Sequence, residues 1–346
     1  MRDFCKQTLG LAILCGGFAS VGAAQTSYTV TDLGALSGAG STKVAGINKT
    51  GQIVGTSGDH AFLWSNGVMT DLGTLGGKTS AAYAINDQGA VVGEASTTSG
   101  EVHAFVWQNG LMTDLGGTHE NSAAHGINSK GDVVGVASAK NVRGGAVLWS
   151  GGKRQWLGDL GPSGSGSTGI SINDNGQIAG VSSGFATNQG VVRAVVWLNG
   201  AISDLGTLGG LHSTANALNA QGLVVGWAEV ADSSTAAFQW LNGKMTQLAS
   251  LRGGVTSAGI GTQALAVNDA GQSVGSSVTS SRVTHAVIWR NGKILDLNSL
   301  IPSGTGITLT RATGINLAGQ IVAEHQTNLD GPTTRAFLLT PASTKH

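Results

Sequence analysis

Residues 81–115 read AAYAINDQGAVVGEASTTSGEVHAFVWQNGLMTDL, and this stretch decides the fold. Four short runs rich in Val, Ile, Phe and Trp lie within it, at 81–86, 90–95, 103–107 and 111–115, each bounded by Gly or Asn. Such runs predict β-strands. Asn109-Gly110 is the dipeptide favoured where both central residues of a two-residue hairpin need positive φ, and Asn86-Asp87-Gln88-Gly89 makes a second short turn. The stretch therefore predicts one antiparallel unit of four strands.

The unit recurs. Asp-Leu-Gly begins at Asp32, Asp71, Asp114, Asp159 and Asp204, then degenerates to Gln247-Leu248-Ala249 and Asp296-Leu297-Asn298, with spacings between 39 and 49 residues. An apolar residue followed by Asn falls at Asn48, Asn86, Asn128, Asn173, Asn219, Asn268 and Asn316, each ahead of a turn and a segment like Gly51-Gln52-Ile53-Val54-Gly55. A third landmark ends in Trp64, Trp107, Trp149, Trp197, Trp240 and Trp289, with Leu339 in seventh place. Seven four-stranded repeats of about 44 residues match the blade arithmetic of an all-β, seven-bladed β-propeller. Residues 28–34 match a fourth strand and 335–339 a third, so the N-terminal strand is expected to complete the last blade, three strands plus one. Unlike a solenoid, a ring closed in this way leaves no open end.

Composition agrees. Glycine supplies 56 of 346 residues, proline 4, and charged residues only 11%. That excludes collagen, coiled coils and helical bundles, while 40% hydrophobic content argues against disorder. Lys+Arg and Asp+Glu both number 19, which gives no basic footprint for nucleic acid. Arg2 and Lys6 precede an apolar run too short to span a membrane, and Gly22-Ala23-Ala24 follows. Residues 1–24 are thus expected to be a cleaved export signal, and 25–346 one propeller domain, secreted or periplasmic, monomeric and without membrane insertion. Both cysteines, Cys5 and Cys15, fall in the leader, so no disulfide is expected in the mature chain.

His60-Ala61-Phe62-Leu63-Trp64 and His103-Ala104-Phe105-Val106-Trp107, with Met-Thr-Asp-Leu-Gly at Met69 and Met112, resemble the bacterial extracellular HAF-repeat proteins. The likeness spans nearly the whole mature chain and decays in later units, for example to Arg193-Ala194-Val195 and Arg335-Ala336-Phe337. It implies an exported repeat protein and brings no catalytic residue with it. WD and kelch repeats match less well, because the Gly-His signature and their order of landmarks are missing.

A propeller puts the turns after Asn and the Asn-Gly turns on one face, and all long connections on the other. Variable loops on a rigid scaffold are where binding usually sits. Trp227, Glu229, Asp232, Arg143, Arg282 and His325 are the candidate binding residues there, with Trp227 a stacking platform for a sugar or aromatic ligand. The repeated Asp reads as a turn residue bonding backbone N–H groups; calcium at 172–176 is the alternative. His60, His103 and His285 start equivalent strands in different blades, too far apart to share one zinc, and are expected to make local structural hydrogen bonds. No metal and no cofactor is implied. Nucleophile-elbow, zinc-protease and P-loop motifs are absent. The expected function is an exported non-enzymatic propeller binding a protein or glycan through its long-loop face. One alternative is a secreted lyase or hydrolase using a carboxylate pair from Glu94, Glu101, Glu120, Glu229, Asp232, Glu324 and Asp330; another is a purely structural extracellular component.

Overall fold

The computed structural model describes residues 27–139, 144–161, 166–185, 188–252, 261–327 and 333–342. The expected leader, Arg143 and Asp330 lie outside them. Seven four-stranded antiparallel sheets form the blades of a β-propeller. With strands a to d counted outward from the axis, blade 1 is Thr42–Ile47, Ile53–Ser57, His60–Ser65 and Val68–Asp71. Blade 7 takes strands a to c from Arg311–Ile315, Ile321–Thr327 and Thr333–Pro341, and strand d from Tyr28–Asp32. Tyr28 pairs with Pro341 and Asp32 with Phe337, so the ring closes three plus one, as the sequence predicts.

Hairpin chemistry sets the turns. Asn66, Asn109, Asn199, Asn242 and Asn291 all have φ of 50–52°, and each following glycine is also at positive φ. Blade 3 reaches the same conformation with Gly151 and Gly152. Two positive-φ residues match the right-handed twist of the flanking strands.

Packing between blades accounts for the tryptophans. Trp149 clusters with Val92 and Ala104 of the preceding blade, Trp197 with Val134 and Ala146, and Trp289 with Val225 and Ala237. Leu339 does the same against Ala286 and Ile288. The Trp149 and Trp289 indoles also donate to carbonyl oxygens of the preceding blade, Leu115 at 3.1 Å and Ala249 at 2.8 Å. Phe62, Phe105, Phe238 and Phe337 are at most 1% exposed. Each such phenyl contributes about 1.5–3 kcal/mol by burial.

The asparagine landmark closes a second, polar ring. Each of the seven asparagines donates from Nδ2 to the backbone carbonyl of its counterpart in the next blade: Asn48 to Asn86, Asn86 to Asn128, Asn128 to Asn173, Asn173 to Asn219, Asn219 to Asn268, Asn268 to Asn316, and Asn316 back to Asn48, all at 3.0–3.3 Å. Their Oδ1 atoms accept from their own turns, as when Asn173 takes the Asn175 and Gln177 N–H groups. All seven are buried.

Candidate functional site in the central channel

The innermost strands carry one motif seven times: VAGIN (44–48), AYAIN (82–86), AHGIN (124–128), GISIN (169–173), ANALN (215–219), ALAVN (264–268) and ATGIN (312–316). In every blade the ladder between strands a and b slips by one residue within this motif. The slip is a β-bulge, which leaves one residue unpaired and re-aims its side chain. Glycine on strand b makes room for it. A Cβ on Gly55, Gly93, Gly135, Gly180, Gly226 or Gly275 would stand 1.9–2.1 Å from a strand-a carbonyl oxygen. Blade 7 keeps the bulge with Ala323 at this place.

The unpaired residues are Ala45, Tyr83, His125, Ile170, Asn216, Leu265 and Thr313, and all seven line one chamber of the channel, of about 560 Å³. Their neighbours in the motif are held to small, aliphatic and Asn residues, whereas the bulge residue differs in every blade. A ring formed by Ile47, Ile85, Ile127, Ile172, Leu218, Val267 and Ile315 separates this chamber from a second, of about 320 Å³, on the asparagine side. Strand a enters from the side of the long connections, so the larger chamber lies toward that face.

Polar contacts fix the chamber wall. Tyr83 Oη donates to Glu94 Oε1 at 2.8 Å, and the Tyr83 and His125 rings are 5.4 Å apart, tilted by 51°. Burial, with the Glu94 charge and hydrogen bond, pushes the Tyr83 phenol well above its usual value. His125 Nδ1 lies 3.2 Å from the Gly169 carbonyl oxygen. That oxygen can only accept, so Nδ1 carries the proton and Nε2 is an acceptor. Burial lowers the His125 pKa and outweighs the Gly169 carbonyl and Glu94, which raise it. Asn216 Nδ2 donates to the Ala264 carbonyl at 2.8 Å, and Thr313 Oγ1 is buried without a hydrogen-bond partner. On the long-connection side, Lys43 and Arg311 are exposed at the position two before the bulge residue. Both lower the pKa of Glu324, as does the Val44 N–H, but burial dominates and raises it.

The candidates read from the sequence do not converge. Trp227 and Glu229 lie within strand b of blade 5, Val224–Val230, rather than in a loop. The period-two pattern continues past Gly226, with Ala228 fully buried, so pairing extends to Glu229 opposite Thr235. Glu229 accepts from the Leu211 and His212 N–H groups, and Asp232 caps its own turn through Ser234. Arg282 sits at φ 64° in a turn of blade 6, and His325 lies in strand b of blade 7, its Nδ1 beside Thr308. Two of the long connections are likewise shortened by strands Ile178–Phe185, Asn188–Leu198 and Ile321–Thr327. The sequence reading missed the bulge ring, although its signal, the one changing letter of a five-residue motif, was present.

The remaining repeated polar residues have structural partners. His60, His103 and His285 each pair with the Asp of their own blade's fourth strand, Asp71, Asp114 and Asp296, at 2.7–2.9 Å. Arg335 takes this role with Asp32, and Arg193 with Asp204 at 4.0 Å. The same Asp residues accept the N–H two positions on, as Asp71 does from Gly73 at 2.8 Å. Asp174 and Asp269 accept from Ser129 and Ala220 of the preceding blade. Among the described residues no group of three or more His, Cys, Asp or Glu is placed to hold a metal ion. Glu101 contacts His119, and Glu120 contacts Arg154 and the Gly117 N–H. The described candidate carboxylates thus each serve separate local contacts.

No protein-family model and no curated protein matches the chain. Solved structures do. The extracellular domain of a B. thetaiotaomicron protein described as a one-component system superposes with a TM-score of 0.54 at 12% identity, covering 92% of this chain and 40% of that one. The β-propeller domain of the trilobed protease from Pyrococcus furiosus gives 0.51 at 10% identity, covering 86% and 94%. At such identities the likeness concerns the fold.

Proposed function

We propose that this protein is an exported, non-enzymatic binding propeller of the HAF-repeat kind, whose ligand, a glycan or a protein segment, enters the central channel from the long-connection face. One observation carries the reading. The other four positions of the five-residue motif are repetitive scaffold, yet the residue aimed into the chamber is different in every blade. Convergent, mixed side chains on rigid strands around one chamber are the arrangement a binding ring needs. The leader-like residues 1–24 support export, and the dispersal of the carboxylates weighs against the glycosidase alternative.

Ala45→Trp tests it. Ala45 lines the chamber and has space in front of it, so an indole there fills the channel mouth without entering the core. Mature protein and variant are compared on a glycan array and against immobilised protein fractions, with circular dichroism to confirm the fold. Binding lost in the variant supports the channel; binding unchanged overturns it.

A further inference from the structure

Among the described residues that line the wide chamber there is no Asp, Glu, Lys or Arg, and the titratable groups there are the phenol of Tyr83 and the imidazole of His125. Burial lowers the His125 pKa and outweighs the Gly169 carbonyl and Glu94, which raise it, so the imidazole is held toward its neutral form. A charged ligand would lose its hydration here and meet no opposite charge on the lining itself, since Glu94 stands behind Tyr83 and Lys43 and Arg311 lie outside.

A wholly apolar ligand fits no better. His125 and Asn216 line the chamber with one acceptor each left over, Nε2 and Oδ1, once Nδ1–H is given to Gly169 and Nδ2 to Ala264. Covering such acceptors with hydrocarbon leaves them unpaired, which disfavours binding. Ile170 and Leu265 offer apolar contacts between them, and the Tyr83 ring offers a flat face. Polar groups thus alternate with apolar ones around a single ring. The volume, about 560 Å³, is in the range of small-molecule sites.

We infer that the chamber binds one neutral sugar residue, its hydroxyls on His125 and Asn216 and a C–H face on Tyr83. The inference rests on the channel reading above and names its ligand class. A sugar ring matches because it carries hydroxyl donors at its rim and C–H groups on its faces, with no charge. The shared chemistry covers a free monosaccharide and a terminal residue of a glycan chain. The exposed Lys43 and Arg311 lie outside the chamber lining, at its opening.

The test uses the mature protein in two arms: an array of neutral, uronate-bearing and amino-sugar glycans, and ligand-observed NMR with free glucose, galactose, mannose and fucose. Expected is binding of neutral members only, weakened about tenfold or more in Tyr83→Ala and in Asn216→Ala, and kept within about threefold in Tyr83→Phe, which retains the ring. Binding in both arms marks a monosaccharide site, and binding on the array alone marks a glycan terminus; either supports the inference. Ala45→Trp supplies a third measurement that needs no change in the polar wall. Charged glycans or proteins bound in place of neutral sugars, and lost in Ala45→Trp, would overturn the sugar while leaving the channel standing. Neutral sugars bound equally by wild type and Ala45→Trp would overturn both. No neutral binding in either arm, with free sugar at up to about 10 mM, would overturn the sugar inference.

Discussion

Replacing Asn173 by aspartate changes one buried amide into a carboxylate of the same shape, and the consequence can be worked out from the ring. Asn173 Nδ2 donates to the Asn219 carbonyl at 3.0 Å and to Gln177 Oε1 at 2.8 Å. In Asn173→Asp an oxygen replaces that nitrogen and faces two acceptors. Gln177 can rotate its amide and donate, which relieves one of them. The Asn219 carbonyl cannot, although it keeps the Gly222 N–H at 3.0 Å. One lost hydrogen bond costs about 1 kcal/mol, and a buried acceptor pressed against another adds about 1–3 kcal/mol. The sum is about 2–4 kcal/mol. At about 2 °C per kcal/mol for a domain above 250 residues, Tm should fall by about 4–8 °C. Asn109→Gly is the control: Asn109 is exposed, sits at φ 51° and belongs to no ring, so its replacement should move Tm by less than 1 °C, about 0.5 kcal/mol or less. Thermal unfolding followed by circular dichroism and calorimetry reads both. A shift in Asn173→Asp no larger than the control would refute the view that the asparagine ring holds adjacent blades.

Four further outcomes follow from the same contacts. Gly226→Ala should destabilise by about 3 kcal/mol or more in urea titration, since its Cβ would stand 1.9 Å from the Thr214 carbonyl oxygen, whereas Ala323→Gly at the equivalent place should cost about 1 kcal/mol. His60→Ala should change stability by under about 1 kcal/mol, because both side chains of the His60–Asp71 pair are more than a third exposed to solvent. The folded-state pKa of His125 lies below its ordinary 6.5, so the unfolded chain takes up the proton first as pH falls. Its contribution is therefore complete above 6.5 and is lost on acidification from there toward the depressed value; His125→Gln should flatten that part of a stability–pH curve. Asp32 behaves in the opposite range: burial raises its pKa, but the Gly34 N–H and Arg335 outweigh burial and hold it below 3.8. The stability it contributes is present above 3.8 and lost as pH falls through its folded value, so hydrogen exchange at 28–32 should accelerate in strong acid before that of the other blades' outer strands.

The ring of blades is legible in the chain because each device is local and repeated. Asn-Gly at Asn109 specifies a hairpin by φ alone, and Trp149 or Trp197 marks a seam because one large side chain recurs at one phase. The last unit, which stops at its third strand (335–339), likewise declares its missing fourth at 28–34. The site is less legible for a physical reason. A bulge does not alter the apolar alternation on which strand reading depends; it slips the ladder by one residue within VAGIN or AHGIN, and only the pairing of Val44 with Gly55 and Gly46 with Val54 exposes it. Trp227 misled because a lone aromatic after glycine looks like a loop residue, whereas Ala228 buries the alternate face and carries the strand on to Val230. The asparagines read as turn residues, which they are, but their Nδ2 groups reach a carbonyl about 45 residues away, as from Asn128 to Asn173.

The central claim is that ligand is held by the channel's bulge ring and not by the rim. The most direct measurement is the dissociation constant of the bound glycan for Ala45→Trp beside the rim double variant Asp232→Ala/Arg282→Ala, each with its Tm recorded. The account predicts at least a tenfold loss in Ala45→Trp and no change in the rim variant. The reverse pattern, binding kept by the plugged channel and lost at Asp232 and Arg282, would contradict it.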